Sequence, residues 1–216
     1  MAKRKHKDNA LSIWIILLFV VLTVGGIVTT HSEKHHKKQG NDPFASVRRY
    51  KPLIQKILAD HHAEEYTTVV LALMEQESKG RGDDPMQSSE SAGLAPGSIQ
   101  DPEHSIRQGI KHFLHVLAYG KKKNVDLPTI LQAYNMGIGY INYVAKHGGH
   151  HSRKLAKQFS LIQVHKKPEL YDCGGDRNNF RYPYCYGDFT YSSKVLSNID
   201  SLQATAHAGN NEKTAE

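Results

Sequence analysis

The spacing of apolar residues over residues 45–202 is the feature that most constrains the fold. Apolar side chains recur every three or four positions, as on one face of a helix, for example Leu53, Ile54 and Ile57 within residues 47–61. No segment alternates apolar and polar residues for long, as a strand with one buried face would. The sequence therefore predicts a mostly α-helical domain.

Capping residues and glycines divide this domain into predicted helices. Asp101 before Pro102 is typical of a helix start, and Gly120 is expected to end the helix that they begin. Gly137 and Gly139 are expected to break another helix, which starts at residue 126 or 129. The predicted helices cover residues 47–61, 67–78, 101–120, a stretch ending at 134, 140–146, 152–164 and 191–202, with a short hairpin near 89–99 and a long loop over 166–188.

A charge-free apolar run, LSIWIILLFVVLTVGGIV, occupies residues 11–28. A membrane-spanning helix requires roughly 17–25 residues, so this run is long enough to cross a bilayer. The basic residues that precede it favour a cytoplasmic N-terminus. We predict one transmembrane helix, with a cleaved secretory signal as the alternative. Both interpretations place the following domain outside the cell.

Composition predicts five segments in this chain of 216 residues. The length leaves one medium-sized folded domain once polar ends and the apolar run are removed. The net charge of +7 favours an acidic polymer or a membrane surface as partner. Nucleic acid is not expected, because no nucleic-acid-binding motif is visible. The segments are a basic cytoplasmic tail (1–9), a transmembrane anchor (10–29), a polar spacer (30–44), a helical catalytic domain (45–202) and a disordered tail (203–216).

Two carboxylates stand where an apolar helix runs into a polar loop. Glu77 ends the helix, and the residues before it on the same face, Met74 and Leu73, are apolar. Burial there disfavours the charged form and raises the pKa of a carboxyl group. Asp84 follows on the loop. Cleavage of a glycosidic bond requires one protonated and one ionised carboxyl group, so this pair predicts glycosidase chemistry.

Other polar residues near these acids have ordinary alternatives. Glu75 and Asp83 compete with Glu77 and Asp84, and spacing favours Glu77 only weakly. Tyr134 and Asn135 precede glycines that would let a backbone approach a ligand, but they also fit a core tyrosine and a helix cap. Gln87 is either a sugar contact or a turn residue.

Cysteine and histidine patterns give little support for a metal. Cys173 and Cys185 are the only cysteines, and a disulfide and two free thiols remain equally compatible with the sequence. His112 and His115 lie three residues apart without the carboxylate of a known metal motif. We expect no metal and no other cofactor.

Three spaced motifs carry a family resemblance. Glu77-Ser78, Met86-Gln87 and Ala133-Tyr134-Asn135 followed by glycine resemble the signature of the goose-type lysozyme and lytic transglycosylase superfamily. The blocks at residues 76–91, 101–106 and 131–137 are similar to the lysozyme-like domain of cell-wall hydrolases carried by conjugative transposons. This similarity covers roughly residues 46–198.

The resemblance implies a single lysozyme-like domain that cleaves the β-1,4 bond between N-acetylmuramic acid and N-acetylglucosamine. The alternatives are a lytic transglycosylase and a silent module that binds the wall. The implied partners are peptidoglycan glycan strands, the membrane, and a conjugation or secretion apparatus. The implied catalytic residues are Glu77 and Asp84, and the implied substrate-binding residues are Ser78, Met86, Gln87, Ser88, Tyr134 and Asn135.

Overall fold

The structure is a computed structural model that describes residues 42–213. Over that range it contains α-helices and short 3₁₀ turns but no β-strand, which confirms the mostly α-helical prediction. The helices are α1 (Ala45–Arg48), α2 (Lys51–Ala59), α3 (Thr67–Glu77), α4 (Pro102–Lys122), α5 (Leu127–Met136), α6 (Ile138–Ala145), α7 (Arg153–Lys166) and α8 (Tyr191–Lys213).

The predicted N-terminal anchor at residues 10–29 lies outside the described residues, as do the tail at 1–9 and most of the spacer. Within residues 42–213, no helix combines the length and the apolar content that crossing a bilayer requires. Phe44, which was assigned to the spacer, is instead buried in the hydrophobic core.

Helix α3 is the central element of the domain. Val70, Ala72, Leu73 and Met74 are fully buried, because α1, α2 and α8 pack around this helix. A helix that is apolar on all sides is stable only in such an interior position. Its last residue, Glu77, therefore lies at the edge of the core, in the turn where the helix becomes partly exposed to solvent.

Helix α4 begins as predicted but does not end at Gly120. The Asp101 side chain accepts hydrogen bonds from the backbone N–H groups of Glu103 and His104, both at 3.2 Å. The helix continues to Lys122. A Cβ atom at Gly120 would lie 2.4 Å from Cγ1 of Ile130, so this glycine permits close packing of α4 on α5 rather than ending a helix.

Asp126 caps the start of α5, and Gly137 ends the helix as predicted. The Asp126 side chain accepts a hydrogen bond from the Thr129 backbone N–H at 3.0 Å. Gly137 has a φ of 75°, which favours glycine, and α6 starts at the next residue. This sharp break brings the end of α5 to the protein surface.

Three other predictions of local structure were wrong. Gly139 does not break a helix but lies within α6. Residues 47–61 form two helices, because the chain turns at Tyr50 and restarts with Pro52 in the first turn of α2. Residues 89–99 contain a 3₁₀ turn, Glu90–Ala92, with local turn hydrogen bonds instead of a hairpin.

Helix α8 extends beyond its predicted end at residue 202 and reaches Lys213, so residues 203–213 are not the predicted disordered tail. Leu202 is 2% exposed, and Arg48 Nη2 donates to its carbonyl oxygen at 3.1 Å and also to Thr205 Oγ1. These contacts hold the helical turn at residues 202–205 against Arg48, although the polar sequence of this turn does not predict that it packs.

The loop over residues 166–188 is tied at several points. A disulfide joins Cys173 and Cys185, whose Cα atoms are 5.0 Å apart. The Tyr186 hydroxyl donates to the Met136 carbonyl oxygen at 2.9 Å, and Ser160 Oγ donates to the Tyr186 carbonyl oxygen at 2.9 Å. The loop is thereby held against α5 and α7, which fixes the start of α8.

Candidate active site

A groove of about 530 Å³ opens where α3, α4 and α5 meet the loop over residues 84–97. Five predicted site residues line it, namely Glu77, Asp84, Gln87, Tyr134 and Asn135. Residues more than fifty positions apart in sequence therefore share one cavity. The remaining lining residues are Ser89, Glu90, Ser91, Pro96, Gly97, His112 and Gly137.

Glu77 is half-buried at the end of α3. The pKa of its carboxyl group is raised to about 7, chiefly by burial and to a smaller extent by the nearby charge of Asp84, while a hydrogen bond from Tyr191 opposes both effects. The Tyr191 hydroxyl donates to Oε1 of Glu77. A carboxyl group with this pKa holds a proton in a large fraction of molecules near neutral pH. Glu77 is therefore suited to act as a general acid.

Glu75 is distinguished from Glu77 by its position. Burial also raises the pKa of Glu75, while the charges of Lys79 and Arg81 oppose that effect. Glu75 is not among the residues that line the groove. The competition between the two glutamates is therefore decided by which one faces the cavity.

Asp84 is 6% exposed, and its two carboxylate oxygens are both engaged by serines. Oδ1 accepts from Ser105 Oγ at 2.6 Å and from the Ser88 backbone N–H at 2.9 Å, and Oδ2 accepts from Ser89 Oγ at 2.6 Å. Burial alone would raise the pKa of Asp84, but these hydrogen bonds outweigh burial and lower it. Asp84 is thus an ionised carboxylate, whereas the adjacent Asp83 is exposed to solvent.

The Tyr134 hydroxyl is a free hydrogen-bond donor at the groove. Its oxygen is buried and has no hydrogen-bond partner among the described residues, although the residue lines the cavity. Burial raises the pKa of Tyr134 well above its usual value, and the charges of Glu77 and Asp84 add to the effect. The hydroxyl therefore keeps its proton. A buried donor without a partner is energetically unfavourable, so a hydrogen bond from this hydroxyl to a bound ligand would be favourable.

Two neighbours hold the Tyr134 ring in place. His112 Nε2 lies 3.1 Å from the Tyr134 carbonyl oxygen, and the two rings meet edge to face with centroids 4.8 Å apart. On the other side the Tyr191 ring is stacked at 6.3 Å. Tyr191 therefore contacts both Glu77 and Tyr134 and links the carboxyl group to the tyrosine beside it.

Gln87 and Asn135 have different surroundings within the groove. Gln87 is exposed, has a φ of 46°, and donates from Nε2 to the Asp84 carbonyl oxygen at 2.9 Å. Asn135 Oδ1 accepts from the Asp188 backbone N–H at 2.7 Å. Gln87 is held to the backbone of Asp84 at the exposed edge of the groove, while Asn135 joins the end of α5 to the loop before α8.

Three residues predicted to bind substrate do not line the groove. Met86 is fully buried, and a Cβ atom at Gly109 would lie 2.6 Å from its Cβ, so it is a core residue packed on α4. Ser88 is 2% exposed and donates from Oγ to the Ser105 carbonyl oxygen at 2.8 Å. Ser78 Oγ donates to the Pro85 carbonyl oxygen at 2.7 Å. The prediction of sugar contact was wrong for the two buried residues, and Ser78 fixes the loop.

The sequence patterns did not reveal several residues that shape the site. Tyr191 is 114 positions from Glu77, and only its place at the start of a helix could be anticipated. His112 was considered only with His115 as a metal pair. Ser89 and Ser105 lie within blocks that carry the family resemblance, but the sequence analysis assigns neither a role in the site. Within the described part of the chain, no three His, Cys, Asp or Glu side chains cluster to hold a metal.

Comparison with known proteins gives one family match and several relatives. The family model described as Lysozyme-like matches residues 44–199. The uncharacterized membrane protein YocA of Bacillus subtilis (strain 168) is 46% identical over 205 residues, which are 93% of this chain and 91% of that protein. The bifunctional muramidase/DL-endopeptidase CwlT of the same organism is 46% identical over 120 residues, which are 56% of this chain and 36% of CwlT.

A solved structure has a similar fold. It is a crystal structure described as similar to a lipoprotein of the NLP/P60 family from Staphylococcus aureus subsp. aureus Mu50. The two structures superpose with a TM-score of 0.60 at 36% sequence identity, over 71% of this chain and 52% of that chain. The alignment therefore covers most of this chain but only about half of the staphylococcal protein.

Proposed function

Because this chain belongs to the lysozyme-like family, we propose that its helical domain is a peptidoglycan glycosidase of the muramidase type. The reaction would be hydrolysis of the β-1,4 bond between N-acetylmuramic acid and N-acetylglucosamine. The observation that carries this proposal is the raised pKa of Glu77, about 7, in a groove that also holds an ionised Asp84. Two carboxyl groups whose surroundings separate their pKa values are what acid-assisted glycoside cleavage requires.

Glu77 acts as the general acid in this proposal. Its proton passes to the glycosidic oxygen as the bond to the sugar carbon breaks, which turns a poor leaving group into a neutral alcohol. A water molecule then bonds to the sugar carbon and returns a proton to the Glu77 carboxylate, which completes the hydrolysis. The Tyr191 hydrogen bond on Oε1 fixes the side chain, so Oε2 is the oxygen that faces the substrate with the proton. Tyr134 donates its free hydroxyl hydrogen to the bound sugar.

Asp84 acts through its charge rather than as a nucleophile. Its oxygens are occupied by Ser88, Ser89 and Ser105, so neither is placed to bond to the sugar carbon. Its negative charge still favours the proton on Glu77 and stabilises the positive charge of an oxocarbenium-like transition state. This role needs a fixed, ionised carboxylate, which the serine hydrogen bonds provide.

The test is digestion of purified peptidoglycan by the full-length chain and by Glu77→Gln, followed by mass analysis of the products. Glu77→Gln is expected to lose at least about a hundredfold in rate, because the general acid is removed. Glu75→Gln is the matched control and should stay near the wild-type rate. Equal activity of Glu77→Gln and the wild type would instead support the silent wall-binding module.

A lytic transglycosylase is the second candidate. In that reaction Glu77 first donates its proton and then accepts one from the muramic acid 6-hydroxyl, so no second carboxylate is needed. The engagement of both Asp84 oxygens by serines favours this candidate. The same product masses decide, since the anhydro product is one water lighter than the hydrolysis product.

We further propose that the domain is exported and held at the outer face of the membrane by the anchor at residues 10–29. The apolar run and the printed name of YocA as a membrane protein support this location. Confinement near the membrane would suit local opening of the wall for conjugative transfer. Protease treatment of intact protoplasts tests the topology, because the catalytic domain should be digested. Protection of the domain would contradict the proposal.

A further inference from the structure

We propose that one face of α7 is a docking surface for an anionic phosphodiester polymer of the cell wall. This surface, the α7 basic face, consists of Arg153, Lys154 and Lys157 of α7 with Phe180 and Tyr184 of the disulfide-closed loop. The existence of the surface does not depend on the catalytic proposal. The assignment to a wall polymer rests on the proposed wall function.

The α7 basic face forms two shallow depressions that share Arg153. The larger, about 640 Å³, is also lined by Phe180 and Lys194, and the smaller, about 360 Å³, by Lys157 and Tyr184. Neither depression includes a residue of the catalytic groove. A surface that continues on both sides of one arginine fits an elongated ligand better than a single small anion.

Lys157, which lines the smaller depression, contacts aromatic rings rather than a carboxylate. Lys157 Nζ lies 4.9 Å from the ring centroid of Tyr184 and 4.7 Å from that of Phe189. An aromatic face attracts an ammonium group without neutralising its charge. No carboxylate of the described chain forms an ion pair with Arg153, Lys154 or Lys157. These three charges therefore remain available to an anion.

Lys194 at the edge of the face differs from these three residues. Its Nζ lies 2.6 Å from Asp188 Oδ2, so its charge is compensated within the protein. Lys194 also lies 5.1 Å from the Phe180 ring centroid, which helps to fix this ring although the side chain is 62% exposed. Phe180 then offers apolar contact to the carbon backbone of a polymer beside the charged groups.

A phosphodiester polymer matches this arrangement in charge and in length. Guanidinium groups bind phosphate oxygens through paired hydrogen bonds, and lysines add point charges beside them. A polymer with one anion in each repeat would contact both depressions at once, whereas a single stem-peptide carboxylate would fill only one. Linked weak contacts of this kind increase the overall affinity.

The test measures binding of deacylated poly(glycerol phosphate) to the full-length chain in non-ionic detergent. The variant Arg153→Gln/Lys157→Gln removes two charges from the α7 basic face. Its matched control, Lys51→Gln/Lys56→Gln, removes two exposed charges from α2. We expect binding to weaken about fivefold or more in the first pair and to stay within about twofold of wild type in the control. Added salt should weaken wild-type binding.

Equal weakening in both pairs would overturn the proposal, because net charge alone would then explain binding. Tighter binding of double-stranded DNA, or of anionic lipid vesicles, through the same two residues would overturn the assignment to a wall polymer. Arg153→Gln alone keeps the test valid if the double variant does not fold.

A separate measurement keeps this inference distinct from the catalytic proposal. On peptidoglycan stripped of its anionic polymers, Arg153→Gln/Lys157→Gln should cleave at the wild-type rate. Polymer binding without any cleavage by the wild-type chain would sink the glycosidase proposal and leave the docking surface intact. Loss of cleavage in the folded double variant would place these residues in the catalytic groove and contradict the inference.

Discussion

Glu77 and Asp84 are chemically similar side chains whose surroundings shift their pKa values in opposite directions. Burial dominates at Glu77, where one hydrogen bond from Tyr191 only partly compensates the lost hydration. Several serine donors dominate at Asp84, where they outweigh burial. The protonation state of each acid therefore follows from its burial and its hydrogen-bond donors rather than from its residue type.

Removal of the Tyr191 hydroxyl should change the pH dependence of activity. The hydrogen bond from Tyr191 lowers the pKa of Glu77, so Tyr191→Phe should raise that pKa. A general acid must be protonated, so the alkaline limb of the pH–rate profile should move to higher pH. We also expect a roughly tenfold lower maximal rate, because the acid loses its fixed orientation. Turbidity clearing of cell walls at several pH values measures both effects.

Tyr182→Phe is the control for this prediction, since Tyr182 is 44% exposed and lies outside the groove. It should leave the profile unchanged. A shift of the alkaline limb to lower pH in Tyr191→Phe would contradict the assigned sign of the hydrogen-bond effect.

Asp84→Asn should act in the opposite direction on the same limb. The Asp84 charge raises the pKa of Glu77, so its removal should lower that pKa and move the alkaline limb to lower pH. The amide also cannot accept from all of the serines, so unfolding should become easier by about 1–3 kcal/mol. Asp83→Asn, at an exposed position, is the control for charge and should change neither quantity. The pH–rate profile and urea unfolding measure the two effects.

Helices α4 and α5 show that a glycine can signal packing instead of a helix end. Gly120 suggested a stop because glycine is common after the last turn of a helix. Because glycine has no side chain, Cγ1 of Ile130 lies only 2.4 Å from the position that a Cβ atom at residue 120 would occupy. Sequence spacing alone does not separate these uses, because the deciding neighbour is on another helix.

Gly120→Ala should destabilise the domain by about 1–3 kcal/mol, because the added methyl group requires Ile130 to move within a packed core. Gly139→Ala, also within a helix, would meet Phe159 Cζ at 3.3 Å and should cost less, since helix propensity favours alanine. Urea unfolding of both variants measures the difference. An equal or larger loss at Gly139 would contradict the packing role of Gly120.

At the scale of the whole molecule, the burial that raises the pKa of Glu77 makes the stability of the fold depend on pH. Its folded-state pKa of about 7 lies above the ordinary glutamate value of 4.5, so the fold favours the protonated form. The stabilisation is fully present below pH 4.5 and is lost as the pH rises through about 7. At higher pH the fold holds a partly desolvated charge.

Glu77→Gln should therefore be more stable than the wild type at pH 8, by about 1–3 kcal/mol. The difference should shrink as the pH falls toward 4, where the wild-type carboxyl group is protonated in both states. Chemical denaturation across this pH range measures the effect, with Glu75→Gln for comparison. A difference independent of pH would show that the charge of Glu77 is not the cause.

The sequence by itself determined the helical class, most helix starts, and the pair of acids around which the groove forms. These properties depend on contacts within a few residues, such as the Asp101 and Asp126 caps and the apolar turns before Glu77. Local spacing is enough to state them, and the family resemblance added Tyr134, whose hydroxyl is the free donor in the groove.

Only the tertiary structure decided which acid faces the groove, what occupies the oxygens of Asp84, and that Tyr191 bonds to Glu77. It also placed Met86 in the core and extended α8 through its contact with Arg48. Each of these outcomes joins positions on different helices or distant loops. Burial and hydrogen bonding depend on which side chains fill the same space, and residue spacing along the chain does not specify that.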